Sequence, residues 1–329
     1  MRSLLTTLVL SCVVTSVRSA FVDLFSSPSR SDYGGCDGQT DLIDTWLVES
    51  LTLADAGLEA VADYDSDLVV RLMFDAFFGQ KQTGDREIFD VVSANLNQVA
   101  SFLQKGLSGN KPWLFCDSSW LVWSEWQDVA KDARGNDLLI DGALVSLQEV
   151  DDERYSKAFK ATDPVQVPYF APDVNNYLFA SDVKGTSFCA SGASLAGTQT
   201  EAGFKSVTLC LNNILRTPEI ATLDTNTVGR SGLSLTKFFP KSATLFHELF
   251  HLVSGQLETE DVPGYRYADV AAYATSPDDI PYPEEKDPKT AGYYNSYNPE
   301  IYVFFCVAYH QYVASGRKWK FTTSRSSAV

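Results

Sequence analysis

Basic residues, long apolar runs and histidine are scarce in this chain, and the first two shortages each remove a class of function. Lysine and arginine number 26 against 42 aspartates and glutamates, a formal net charge of −16. Such a surface repels phosphate backbones and anionic lipid, so neither nucleic acid nor a membrane is an expected partner. The longest apolar run, Leu4 to Val14, falls short of the ~20 residues that a membrane-spanning helix needs. No Asn-x-Ser/Thr sequon occurs, and N-glycosylation is not expected. No internal repeat, low-complexity tract or clear interdomain linker is present. Six cysteines occur, but none of their spacings matches a cysteine-based zinc site.

What is present begins with a leader. Met1-Arg2 is a short positive start, Leu4 to Val14 is mostly apolar, and small residues follow. This pattern predicts a secretory signal peptide over residues 1–19, with Val17 and Ser19 at the two small-residue positions before the cut. The expected mature protein is secreted, extracellular, soluble and monomeric. Losing Arg2 and Arg18 leaves 24 basic against 42 acidic residues, a charge near −18. That surplus suits solubility outside the cell and is compatible with basic substrates. An oxidising compartment permits disulfides. Cys306 lies in the apolar run from Tyr302 to Ala308 and reads as a free, buried thiol. The remaining Cys36, Cys116, Cys189 and Cys210 are the disulfide candidates. The preferred pairing is Cys36 with Cys116 and Cys189 with Cys210, although two bridges among five cysteines can be drawn in about 15 ways.

About 310 residues remain, enough for one large domain or two small ones. From Asp41 to Gln104 apolar residues recur at helical spacing, with a break at Gln82 to Gly84. Lys111 to Gly203 changes character: short aromatic and β-branched runs alternate with turn-forming residues. Ser206 to Leu209 alternates and predicts a strand, a candidate edge for pairing with an extended substrate. Asn298 and Pro299 are a good N-cap and first residue for a helix whose apolar face is Ile301, Phe304, Phe305, Ala308 and Tyr312. Residues 317–329 are basic and polar and are expected to fray.

Histidine is the informative scarcity. Only three occur, and two stand four apart in His247-Glu248-Leu249-Phe250-His251. On a helix that spacing puts both rings on one face, one turn apart, where they can grip a single zinc ion. The glutamate beside the first is placed to take a proton from water activated by such an ion. Leu245, Phe246, Leu249, Phe250, Leu252 and Val253 make the helix apolar nearly all round, with Pro240 near its start and Ser254-Gly255 at its end. The bland alternative is a pair of core histidines. A catalytic zinc site needs a third ligand. No further histidine follows closely, and His310 lies in an apolar helix. The carboxylates Glu258, Glu260, Asp261 and Asp269 are the candidates.

Here the sequence resembles a family. Thr259-Glu260-Asp261-Val262-Pro263-Gly264-Tyr265, followed by Asn298-Pro299-Glu300-Ile301-Tyr302, is similar in order to the aspartate loop and later Asn-x-x-x-Tyr helix start of the deuterolysin and peptidyl-lysine metalloendopeptidase group, the aspzincins. The likeness covers roughly Cys189 to Tyr312 and is closest to secreted fungal metallopeptidases. It implies an α+β, zincin-like domain over residues 20–329: a helical lobe or prosegment up to residue 110, a mixed β section, and the His-Glu-x-x-His helix. It implies one zinc per chain on His247, His251 and Asp261, with Asp269 the alternative third ligand. Glu248 is then the general base and Tyr265 a donor to the oxyanion. Protein or peptide substrates follow. The rival expectation is a zincin-like secreted protein that binds a partner without catalysis.

Overall fold

Apolar positions repeating every three or four residues build the first half of the molecule. The computed structural model describes residues 20–28, 34–81, 86–162, 165–180, 188–200, 203–254, 259, 261, 264–275 and 295–329. The expected leader and the break at Gln82 to Gly84 lie outside the described residues. After a single-turn α1 (Phe21–Leu24) come α2 (Thr40–Asp63), α3 (Leu68–Phe78) and α4 (Glu87–Lys105). Asp67 caps α3 by accepting from the Val69 N–H at 2.8 Å, and Gly79 closes it at a φ of 68°. Glu87 and Asp90 in the first turn of α4 and Lys105 in its last complement the helix dipole.

Aromatic and β-branched runs take over next, in the order β1 (Trp113–Phe115), β2 (Val122–Trp123), β3 (Leu139–Ile140), β4 (Ala143–Leu144), α5 (Glu153–Lys160), β5 (Val167–Ala171), β6 (Asn176–Ala180), β7 (Ala196–Gln199) and β8 (Ser206–Leu209). Helix α5 is not foreseen by the apolar pattern. It is a polar helix with Asp152 as its N-cap, and it buries only Tyr155 and Ala158. Strands β2, β5 and β6 form one antiparallel sheet and β3–β4 a hairpin. Strands β5 and β6 and helix α5 contribute to a small core around Leu147, Tyr155 and Tyr177.

Strand β8 forms as its alternation predicts, but it is not the edge expected of a strand shortly before the His-Glu-x-x-His helix. It lies between β1, which it pairs in parallel, and β7, which it pairs antiparallel. All four of its residues are buried. Trp113–Phe115 covers one side of it, and β7 becomes the edge.

The second half adds α6 (Leu211–Ile214), α7 (Ala243–Ser254), α8 (Tyr267–Thr275) and α9 (Pro299–Ala314). Asn298 caps α9 by accepting from the Glu300 N–H, with Pro299 at its first position. Twelve of its 16 residues are buried, so this helix is central rather than amphipathic. It packs on α2, α3 and α7, while α7 also meets α2, α4, β7 and β8. One hydrophobic core therefore holds residues of the first helices, such as Trp46, Phe74 and Leu96, together with Phe246 of α7 and Phe305 of α9. Residues before Lys111 contribute to that same core. The architecture is a mixed helix-and-sheet fold of the α+β class.

Helices α2, α4 and α9 approach closely at Gly57 of α2. A Cβ there would stand 2.7 Å from Leu96 Cδ2 of α4 and 2.8 Å from Cys306 Sγ of α9. Leu96 and Cys306 are fully buried and have no room to yield. Alanine gains about 1 kcal/mol in helix propensity, whereas overpacking costs about 1–3 kcal/mol. Gly57→Ala is expected to lower the thermal midpoint by about 2–4 °C for each kcal/mol of net loss. A raised midpoint in a calorimetric scan would show that the three helices part freely.

The tail does not fray. Strands β9 (Trp319–Lys320) and β10 (Ser327–Ala328) pair antiparallel, and Phe321 is fully buried, 5.8 Å from the Phe238 ring. Arg317 forks onto Asp63 and Asp67, which also accept hydrogen bonds from Tyr309 and Tyr312. One apolar anchor and one paired cation hold a segment whose composition reads as loose.

Cys36–Cys116 and Cys189–Cys210 are disulfides, and Cys306 is a buried free thiol, as expected. Two disulfides fit an extracellular protein. Among the described residues no helix is long and apolar enough to cross a membrane.

Candidate metal centre

Helix α7 is held from the sides and at both ends. Leu245, Phe246, Leu249, Phe250 and Leu252 are fully buried. At its start the Ser242 hydroxyl donates to the buried Glu49 carboxylate, which also accepts from the Leu223 N–H at 2.9 Å. At its end Lys205 Nζ donates to the Leu252 carbonyl at 3.1 Å. Tyr302 of α9 stacks on Phe250, with ring centres 4.4 Å apart. The helix has little freedom to turn, so the direction of its polar face is fixed.

That face carries His247, Glu248 and His251, which are 5%, 6% and 8% exposed. The two imidazoles stand one turn apart, with ring centres 5.1 Å from each other. Their Nε2 atoms meet the same oxygen, Asp261 Oδ1, at 3.1 and 3.2 Å. The opposite ring nitrogens are engaged elsewhere: His247 Nδ1 donates to Glu300 Oε2 at 3.2 Å, and His251 Nδ1 lies 2.7 Å from Thr259 Oγ1. Outer partners of this kind fix the orientation of metal-binding imidazoles. Two donors of a tetrahedral zinc site, each about 2.1 Å from the ion, lie about 3.4 Å apart. The nitrogen-to-oxygen spacings are close to that, and the three ligand atoms all lie within 4.8 Å of one another. His247, His251 and Asp261 can therefore hold a metal ion.

Charge at the centre is balanced within it. Burial pulls the His247 pKa down, but hydrogen bonds to Asp261 and Glu300 and the charge of Glu248 outweigh it and raise the group to about 10. Burial pushes Asp261 up, yet its bonds from His247 and His251 hold it well below the usual carboxylate range. Tyr265 donates to the other oxygen, Asp261 Oδ2, at 2.6 Å. Burial first and that bond second raise its phenol pKa.

The general-base candidate is held separately. Glu248 Oε2 accepts from Thr198 Oγ1 of β7 at 2.7 Å. A cavity of about 300 Å³ opens here, walled by Ala196 to Thr198 of β7 on one side and by Glu248, His251, Asp261 and Tyr265 on the other.

Of the candidate carboxylates among the described residues, Asp261 is brought to the histidines. Asp269 sits in the first turn of α8, 3.9 Å from Arg266 Nε, and is not part of the group. Glu258 and Glu260 lie outside the described residues. His310 also stands apart, 3.5 Å from Asp224, with burial lowering its pKa. Tyr265 is beside the rings, 5.7 Å from His247 between ring centres, but its hydroxyl is engaged with Asp261.

Three contacting residues have no role in the sequence reading. Glu300 reads there only as part of a helix start, yet the Asn298 cap delivers its carboxylate to His247. Asn298 also donates to the Gly264 carbonyl at 3.4 Å and so ties the segment before Tyr265 to α9. Thr259 is recognisable only through the Thr-x-Asp order. Thr198 gives no signal at all, because it reaches Glu248 from a strand 50 residues away. No family model, curated protein or solved structure matches the chain, so the site is read from its own geometry.

Proposed function

We propose that this chain is a secreted zinc-dependent endopeptidase with a zincin-like domain, similar to the deuterolysin and peptidyl-lysine metalloendopeptidase group. One observation carries the reading: two histidines and an aspartate converge beside a separately held glutamate, in a cavity walled by an edge strand. The order of Thr259, Asp261 and Tyr265 before the Asn298 helix supports it, as do the two disulfides and the predicted leader.

His247, His251 and Asp261 would hold the zinc. When bound, such an ion supplies a Lewis acid that makes water nucleophilic near neutral pH and polarises a carbonyl. Glu248 takes the proton of the attacking water and returns it to the leaving amine. Glu300 and Thr259 keep the Nε2 atoms of the two rings turned inward. Tyr265 is the candidate donor to the oxyanion by that resemblance, and its one hydroxyl proton must then leave Asp261 Oδ2 to serve there. Strand β7 pairs with β8 and is the outermost strand of its sheet, beside the cavity. An extended peptide adding to that edge would lie along the wall of the cavity.

Metal content and chelator response test the reading together. Elemental mass spectrometry of the dialysed protein should find about one zinc per chain. Casein cleavage should stop with a chelator and return with zinc. Bound zinc without cleavage would favour the non-catalytic binding protein instead. No zinc even after reloading would overturn both.

A further inference from the structure

We propose that Thr198 is the positioning residue of the general base, a role that rests on reading Glu248 as that base. A glutamate on a helix turns about three side-chain torsions, and Glu248, although buried, lines the cavity. Competitors stand beside it: His251 and Asp261, two of the three ligand residues, line the same cavity. Without a tether the carboxylate can swing toward the rings, where it would act as a fourth ligand rather than as a base.

The tether is a single hydroxyl. Thr198 Oγ1 lies 2.7 Å from Glu248 Oε2 and 3.2 Å from the Glu248 carbonyl oxygen. Its one proton goes to the closer, charged acceptor, where hydrogen bonds are strongest. The hydroxyl thus spans both ends of one residue and folds the side chain over its own backbone toward β7. This contact takes up Oε2 and leaves Oε1 for the proton of water. Thr198 is itself well fixed. It is the one buried residue of β7, its partner in the ladder is Val207 of β8, and its branched Cβ restricts χ1. Because the donor comes from the edge strand, the base is registered to the strand on which a peptide would lie.

Two substitutions separate this role from packing. Thr198→Val keeps the shape and removes the proton, and Thr198→Ser keeps the proton and removes the methyl. With a fluorogenic casein-derived peptide, Thr198→Val should lower kcat roughly ten- to a hundredfold. KM should stay within about twofold of the parent, with zinc content unchanged. Thr198→Ser should retain most of the parent kcat. Crystal structures supply a readout that needs no turnover: Glu248 in one rotamer in the parent and in Thr198→Ser, but split between rotamers in Thr198→Val. Parental kcat in Thr198→Val, an equal loss in Thr198→Ser, or one unchanged Glu248 rotamer in Thr198→Val would each overturn the proposal. Glu248→Gln run alongside isolates the parent reading. If that variant cleaves at the parental rate, Glu248 is not the base, and the rotamers alone decide whether Thr198 holds the carboxylate.

Discussion

Replacing Glu248 by glutamine is expected to leave zinc bound and to lower kcat by roughly 10²–10⁴-fold, the usual contribution of a positioned general base. The substitution is nearly isosteric and removes only the ability to accept a proton. The amide oxygen can still accept from Thr198, so the side chain keeps its anchor on β7. The ligand atoms belong to His247, His251 and Asp261, and Glu248 is not among them. Metal content should therefore match the parent, and the thermal midpoint should move little. KM should also change little, because the lost interaction belongs to the transition state rather than to ground-state binding. Activity assays on casein and elemental analysis of the same preparation make the comparison. Cleavage by Glu248→Gln at the parental rate would remove Glu248 from the mechanism, whatever the metal content. Loss of zinc in that variant would instead make Glu248 a ligand.

How far the sequence reaches can be judged residue by residue. The His-Glu-x-x-His spacing is local, so a helix alone is enough to place His247 and His251 on one face. The helices from Asp41 to Gln104 and the Asn298 start are likewise set by short-range periodicity and capping. Cys306 betrays its burial through its apolar neighbours, which leaves four cysteines to pair. Contacts made across the fold are harder to read. Ser206 to Leu209 has the alternation of a half-buried strand, but nothing in it says that Trp113–Phe115 will cover its free side. The tail reads as loose, yet Arg317 finds two aspartates about 250 residues away. Glu300 and Thr198 meet the site from separate elements, and no spacing rule reaches them. The sequence is thus most informative where one helix suffices and least where two elements must meet.

Choosing between Asp261 and Asp269 is such a long-range question, and it sets the second large expected effect. Asp261→Ala should weaken zinc binding by more than about 100-fold, since even outer partners of metal ligands are worth 10–100-fold. Only two imidazoles would remain, and a two-ligand site does not hold zinc through dialysis. Asp261 Oδ1 is also what joins the two rings, at 3.1 and 3.2 Å. Its loss leaves both Nε2 atoms without their shared partner and frees the Tyr265 hydroxyl. Asp269→Ala removes only an exposed contact with Arg266 at 3.9 Å, a kind of pair worth at most about 1 kcal/mol. Its zinc content should equal the parent's. Competition with a chromogenic chelator measures both variants on one scale. Retention of zinc by Asp261→Ala together with its loss from Asp269→Ala would move the third ligand to α8. That result would require the first turn of α8 to swing toward α7 when metal binds. Asn298 resists such a movement, because its bond to the Gly264 carbonyl holds the approach to α8 against the start of α9.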